Sequence, residues 1–314
     1  MQARVLVLFF LAFASLSAYS QSAKISDWPH LIDANKRDAA QKLCSSYLDS
    51  PKVAEKVEAQ KCLANVALMG NDIVLLEGND TGGGEIRGSY THDAVDAAIK
   101  HLDIAMKMAP QDLSIHEGRL HILEVSGRYS EMIAALDQSC TIYKEADAVD
   151  AWLPYVGELN DMQQYQAALD FSKVLDKYYP NNPDVIGNIG AFLSILGHSA
   201  EAIPYLQRAA SLAPADPINA WDLGRAYDYA NQNELANRWY QKGLALQTDK
   251  KQLAESTCLY GYFVDKKLHD QKRACDLEKK SCAPKDQSAC DEQKAPAPKQ
   301  AAAVPVPKPQ PSSK

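Results

Sequence analysis

The stretch "LGHSAEAIPYLQRAASLAP", Leu196 to Pro214, decides the fold, although it holds no cluster of His, Cys or acidic residues. Its meaning lies in what recurs around it. Gly190, Gly197, Ala202, Leu206 and Ala209 meet Gly224, Asn231, Ala236, Tyr240 and Gly243 at a constant offset of 34 residues. A period in that range marks stacked structural repeats. Ala168 and Pro180 stand one period before Ala202 and Pro214. "GRYSEMIAAL" from Gly127 matches "GHSAEAIPYL" from Gly197 at an offset of 70, two periods plus two residues. "AAIKHLDIAMKMAP", ending at Pro110, repeats the second half once more.

Within a repeat the apolar residues fall at helical spacing. Leu223, Tyr227 and Ala230 mark a first helix, and Leu235, Trp239, Leu244 and Leu246 mark a second. Gly127, Gly197 and Asn231 stand at the joint, where the chain leaves the first helix in a left-handed conformation that Gly and Asn tolerate. Pro110, Pro180 and Pro214 stop the second helix, because proline lacks a donor and restricts the residue before it. Small residues at Gly190 and Ala202, and at Gly224 and Ala236, let paired helices approach closely. A larger side chain there costs about 1–3 kcal/mol through overpacking.

These residues resemble the tetratricopeptide repeat family. Its pattern W-x2-L-G-x2-Y, then A-x3-F and a Pro, is approximated by Ala220, Leu223, Gly224, Tyr227, Ala236 and Tyr240. The preceding unit offers Ile186, Ile189, Gly190, Leu193, Ala202, Leu206 and Pro214. The likeness covers residues 113–250 well, as four units, and 53–112 loosely. The unit from Val149 is the weak one, with Val156 where Gly is usual and Pro154 inside its first helix. The resemblance implies an all-α fold, an α-solenoid of stacked helical hairpins whose first helices line a long concave surface. Carrying the family's groove positions onto matching residues gives Asn160 and Asp161, then Asn188 and Ile195, then Trp221, Asp222, Arg225, Asp228 and Tyr229. Trp, Tyr and Arg are frequent interface anchors, while Trp221 packing between units is the competing reading. The Lys and Asn clamp some members use for a chain end is missing, since Gly187 and Ala191 stand there. An extended peptide or a partner's helix is the better fit.

The chain has 314 residues, a net charge of −7 and 46% hydrophobic residues, enough for most of it to fold. "MQARVLVLFFLAFASLSAYSQS" opens with Arg4, an apolar run from Val5 to Leu16 and the small residues Ala18-Tyr19-Ser20. The run is shorter than the 20 or so residues that cross a bilayer. The expectation is a signal peptide over 1–20, an exported, periplasmic or secreted product, and no other membrane-spanning stretch. Without Arg4, and with four Lys set apart in the tail 294–314, residues 21–293 carry −12. Such an acidic body argues against nucleic acid as a partner. The tail "KAPAPKQAAAVPVPKPQPSSK" cannot build a core and reads as disordered, either a solvated end or a contact for a partner or an acidic cell-wall polymer.

Residues 21–52 read as an N-terminal helical cap, and 53–112 as an expanded first unit interrupted by "GNDIVLLEGNDTGGGEIRGSYT", Gly70 to Thr91. With Gly82, Gly83 and Gly84 in a row this reads as a flexible loop, with room for a short hairpin. No Lys-Ser/Thr follows the glycines, as a P-loop requires. Asn79-Asp80-Thr81 fits a glycosylation acceptor in a eukaryotic secretory host. Residues 251–293 form a Cys-containing helical cap without the repeat signature. Seven Cys in an exported chain point to disulfides. Cys44 and Cys62 suit one pair. Cys258, Cys275, Cys282 and Cys290 suit two, with 258–275 and 282–290 preferred among three connectivities. Their spacings hold no C-x2-C for zinc, and Cys140 is left as a small buried side chain.

Motifs for catalysis do not emerge. The seven His include no H-E-x-x-H pair, and His116 and His121, five apart, point different ways on a helix. G-x-S-x-G and Walker sequences are lacking. No cofactor or metal is expected. The leading expectation is a noncatalytic adaptor of the cell envelope that binds protein on the repeat surface. Two rivals stand beside it: an envelope enzyme or accessory subunit using the 70–91 segment, and a cell-wall tether acting through the tail.

Overall fold

A computed structural model describes residues 24–70, 72–78, 84–283 and 289–290. The expected signal segment, the tail 294–314, Asn79-Asp80-Thr81 and the glycines Gly82 and Gly83 lie outside the described residues. The chain divides into two compact units, Met1–Asn181 and Asn182–Lys314.

The first unit begins with a 3-10 turn at Ile25–Asp27 and continues through α1 (Trp28–Asp33), α2 (Arg37–Ser46) and α3 (Val53–Leu68). Strands β1 (Asp72–Gly78) and β2 (Gly84–Tyr90) follow, then α4 (His92–Met108), α5 (Leu113–Val125) and α6 (Tyr129–Cys140). A second 3-10 helix (Ala146–Ala151) leads into α7 (Leu153–Asp161) and α8 (Tyr165–Tyr178). The second unit holds α9 (Pro183–Ile195), α10 (Ser199–Leu212), α11 (Pro217–Tyr229), α12 (Asn233–Leu246), α13 (Lys250–Leu268) and α14 (Gln271–Ser281). Each unit is thus built of helix pairs in chain order, the construction of an α-solenoid.

Helix starts recur with the repeat. Asp112, Asn182 and Asp216 each cap a first helix by accepting from backbone N–H groups two or three residues on, at 2.8–3.1 Å. Such a cap satisfies donors that the helix leaves orphaned. Pro183 and Pro217 add a fixed φ at the first helical position. One period before Asn182 stands Ala148, which has no capping oxygen. There the chain forms the 3-10 helix instead, and α7 starts only at Leu153. Pro154 therefore lies in the first turn of α7, where its missing N–H is harmless, and not inside the helix as the sequence suggested.

The joints leave the first helix with positive φ at Gly127 (70°), Gly197 (87°) and Asn231 (57°). Gln163 (58°) does the same between α7 and α8. In the regular pairs a glycine sets the spacing. A Cβ on Gly224 would lie 2.7 Å from Tyr240 Cδ1, and one on Gly190 would collide with Leu206. In the irregular pair the filling is aromatic. Trp152 is fully buried and donates from Nε1 to Tyr179 Oη at 3.4 Å, and Tyr179 donates to the Tyr143 carbonyl at 2.7 Å.

Helix α3 is buried on two faces. Val57, Ala64 and Leu68 pack with Val95, Leu102 and Met106 of α4, while Ala59, Cys62, Leu63 and Val66 pack with Ile25, Leu31, Ala40 and Cys44. Between α3 and α4 the expected flexible loop is a β-hairpin: β1 and β2 pair antiparallel from Asp72 opposite Tyr90 to Gly78 opposite Gly84. "DIVLLEG" is rich in β-branched and aliphatic residues, and pairing gives its backbone groups partners that a loop would leave to water. Two strands therefore stand beside the fourteen α-helices of the described residues.

Cys44 and Cys62 form a disulfide between α2 and α3, with Cα atoms 6.1 Å apart. At the C-terminal end the preferred pairing is corrected. Cys258 bonds Cys282 and Cys275 bonds Cys290, with Cα separations of 5.0 and 4.7 Å. Antiparallel packing of α13 on α14 brings Cys282, the residue that ends α14, to Cys258, midway along α13. It leaves Cys275 for the chain that returns at Cys290. Cys140 is free and buried, and burial pushes its thiol up to about 12.

Candidate binding surface

Asn160 and Asp161 are exposed at the end of α7 in the first unit, joined by a 3.4 Å contact from Asn160 Nδ2 to Asp161 Oδ1. The other seven groove candidates belong to the second unit. On α9, Asn188 is half-buried and Ile195 is exposed. On α11 the charged candidates are bound within the fold. Arg225 Nη2 donates to Asp222 Oδ1 at 2.8 Å. Burial pushes the Asp222 carboxyl above the usual range, and the Arg225 charge opposes that shift. Asp228 lies 3.5 Å from the Lys267 ammonium and accepts from Tyr240 Oη at 3.5 Å. Of the candidates on α11, Tyr229 is the one with a large free surface, 53% exposed.

Trp221 is half-buried, its ring tilted against Tyr240 at 4.6 Å between centroids. It lines a recess of about 230 Å³ with Pro217, Ile218, Gly243, Gln247, Gln252, Glu255, Ser256 and Leu259. Ile218 and Leu259 are 60% and 61% exposed, so two exposed aliphatic side chains and an indole line the same recess. Gln252 accepts from Gln247 Nε2 at 2.9 Å, which leaves further amide capacity beside the apolar floor. The recess is smaller than the 300 Å³ or so at which sites for drug-sized ligands begin, and suits one or two side chains.

Sequence reasoning found Trp221 but neither Ile218 nor Leu259. Ile218 carried a signal, an aliphatic residue at the solvent-facing second position of a helix whose cap and proline fix its phase. Leu259 carried none, since α13 lacks the repeat pattern. His116 is a satisfied core residue, with Ser139 Oγ at 2.8 Å and the Pro110 carbonyl at 2.9 Å from its two ring nitrogens. One group with metal-ligand character does occur in the first unit, His121 with Glu124 and Glu158.

Among solved structures, the chain matches the C-terminal part of a TPR repeat-containing protein from Cytophaga hutchinsonii. Identity is 13%, covering 85% of this chain and 99% of that one, with a TM-score of 0.51. The fold is that of a tetratricopeptide repeat protein. Lesser likenesses include MamA from Desulfovibrio magneticus RS-1, at 20% identity over 58% of this chain and 97% of that one, TM-score 0.42. Another is the APC/C hetero-tetramer Cut9-Hcn1, at 15% identity over 89% of this chain, TM-score 0.42, where the match spans half of the other chain. No family model and no curated protein sequence matches the chain. The tetratricopeptide framework explains why α9 to α12 keep the 34-residue register while the recess forms against α13, outside that register.

Proposed function

We propose that the protein is a noncatalytic interaction scaffold of an exported compartment, which takes an apolar anchor side chain of a peptide or partner helix in the recess between α11 and α13. The observation that carries this reading is the exposure of Ile218 and Leu259 beside Trp221, on a body whose charge otherwise keeps it soluble. Apolar side chains at a concave rim with amides beside them supply both burial and backbone hydrogen bonding to an incoming segment. Ile195 and Tyr229 offer further contacts. Of the charged candidates, Asp222 and Arg225 pair with each other along α11 and Asp228 ties α11 to Tyr240 and Lys267, while Trp221 both packs on Tyr240 and lines the recess. Asn160 and Asp161 are assigned a lesser part as polar contacts of the first unit.

Export is supported by the three disulfides, which persist in oxidising compartments, and by the apolar run after Arg4. No helix among the described residues is long and apolar enough to cross a membrane. A photo-crosslinking residue placed at Ile218 or at Leu259, in cells that make the protein, is expected to trap the same partner. Residues Glu201 and Arg238, both exposed in this unit, serve as controls. Ile218→Lys combined with Leu259→Lys should abolish the crosslink from Tyr229 while the helical circular dichroism stays unchanged. Equal trapping from the control positions would remove the recess from the account.

A further inference from the structure

A second site is built where α5 meets α7 in the first unit. His121 and Glu124 are one turn apart on α5, and Glu158 comes from α7. One nitrogen or oxygen from each of the three lies within 4.8 Å of the other two. Glu124 is the fixed member. Its side chain is only 2% exposed, its Oε2 is 3.6 Å from His121 Nδ1, and its Oε1 is buried without any hydrogen-bond donor. A carboxylate oxygen removed from water and left without a donor is costly, so such a group calls for a proton or a cation. His121 is the one basic group at ion-pair distance among the described residues, and it is 63% exposed. The contact with Glu124, with burial behind it, pushes the Glu158 carboxyl up to about 7, and Asp161 adds to the negative field. Tyr155, on the same helix as Glu158, directs its hydroxyl to the Glu117 carbonyl at 2.9 Å and leaves the carboxylates unserved.

We propose that His121, Glu124 and Glu158 bind one divalent first-row transition-metal ion of the zinc class, joining α5 to α7. The donor set decides the class. An imidazole beside two carboxylates suits zinc and its neighbours, whereas calcium and magnesium favour oxygen alone. Three protein ligands leave a fourth position for water or for a partner's side chain. Ligand atoms around a tetrahedral zinc are roughly 3.4 Å apart for bonds near 2.1 Å. The exposed rotamers of His121 and Glu158 can close onto the anchored Glu124. The ion would neutralise a buried carboxylate and tie the hairpin α5–α6 to the irregular pair α7–α8.

The test is calorimetric titration of Zn2+ into the full, disulfide-intact chain after chelation. One equivalent is expected to bind at micromolar or tighter affinity near pH 7.5 and to weaken as protons compete below pH 6. His121→Gln and Glu158→Gln, both at exposed positions, should each weaken binding at least tenfold with unchanged circular dichroism. Glu124→Gln should do the same, and the two exposed variants keep the test valid if that one folds poorly. The melting temperature of the parent chain should rise on adding Zn2+ and that of the variants should not. Excess Mg2+ or Ca2+ should not displace the ion. Absence of a stoichiometric site, or binding that both exposed variants retain, would overturn the assignment and leave the carboxyl pair sharing a proton.

Discussion

His121 and Glu124 on α5 occupy the same repeat positions as Arg225 and Asp228 on α11, 104 residues later. The two sets meet different surroundings. On α11 each charge has a complement, since Asp222 holds Arg225 and Lys267 faces Asp228. On α5 a second carboxylate, Glu158, faces Glu124 in place of a cation. In the α9–α10 hairpin the positions hold Ala191 and Ser194, both buried, and the serine hydroxyl donates back to the Gly190 carbonyl. One register of the repeat therefore supports an apolar contact, a closed ion-pair set or a carboxylate cluster open to a ligand. The helical frame fixes where these side chains point, and the neighbouring helix decides what they do.

The largest difference between the two sets is expected at Arg225. Arg225→Ala leaves the Asp222 carboxylate without its guanidinium, and unfolding should become easier by about 1–3 kcal/mol in urea denaturation. Because burial already raises the Asp222 carboxyl, the folded state favours its protonated form. The deficit should then widen as pH rises above the unfolded value near 4. His121→Ala at the matching position should cost the metal-free chain less than Arg225→Ala does, because the imidazole is 63% exposed and is charged only when protonated. Equal losses at the two positions would mean that the α5 set is a structural ion pair like the other.

Glu278 on α14 shows a third way to keep a carboxylate inside, and sharpens the contrast by its pH dependence. It is buried, accepts from the Ala289 N–H at 3.0 Å, and burial, with Asp265 nearby, raises its carboxyl above the usual range. Between the unfolded pKa near 4.3 and the raised folded value, the folded chain keeps a proton that the unfolded chain has lost. The contribution of this group to stability thus falls as pH rises. Glu278→Gln keeps the acceptor oxygen and cannot ionise. Its melting temperature is expected to exceed the parent's at pH 8, with the gap closing at pH 4. A gap independent of pH would show that Glu278 ionises freely in the folded chain.

The smallest effect belongs to the joint of the irregular pair. Gln163→Gly should stabilise the chain by about 0.5–1 kcal/mol, the strain of a left-handed glutamine less the backbone entropy of glycine. Asn231→Gly should gain less, since Asn tolerates that conformation. Thermal melts of the two variants side by side measure the difference.

Much of the helical frame was legible because its determinants act on their own backbone. A joint glycine, a stop proline or a period of 34 leaves the same trace whichever partner helix is present. The irregular pair is visible in the sequence as a weak unit, but its cause, Ala148 in place of a capping Asp or Asn, leaves a fainter mark there than Pro154 does. The hairpin at 72–90 is obscured in the sequence by three consecutive glycines, although "DIVLLEG" has strand composition. At the candidate surface the sequence named Trp221 and Tyr229, yet it could not separate them from Asp222, Arg225 and Asp228. All five lie on one helix face, where Asp222 and Arg225 engage each other and Asp228 is engaged by Tyr240 of α12 and Lys267 of α13.

The sequence by itself determined the repeated helix pairs, their joints and stops, and the cysteines available for bonding. These follow from local backbone chemistry and from periodicity along one chain. Tertiary structure decided that Cys258 joins Cys282 and Cys275 joins Cys290, that Ile218 and Leu259 share a recess, and that Glu124 faces Glu158. Each of these is a meeting of side chains from helices whose relative rotation and offset are set by packing, which no spacing along the sequence encodes.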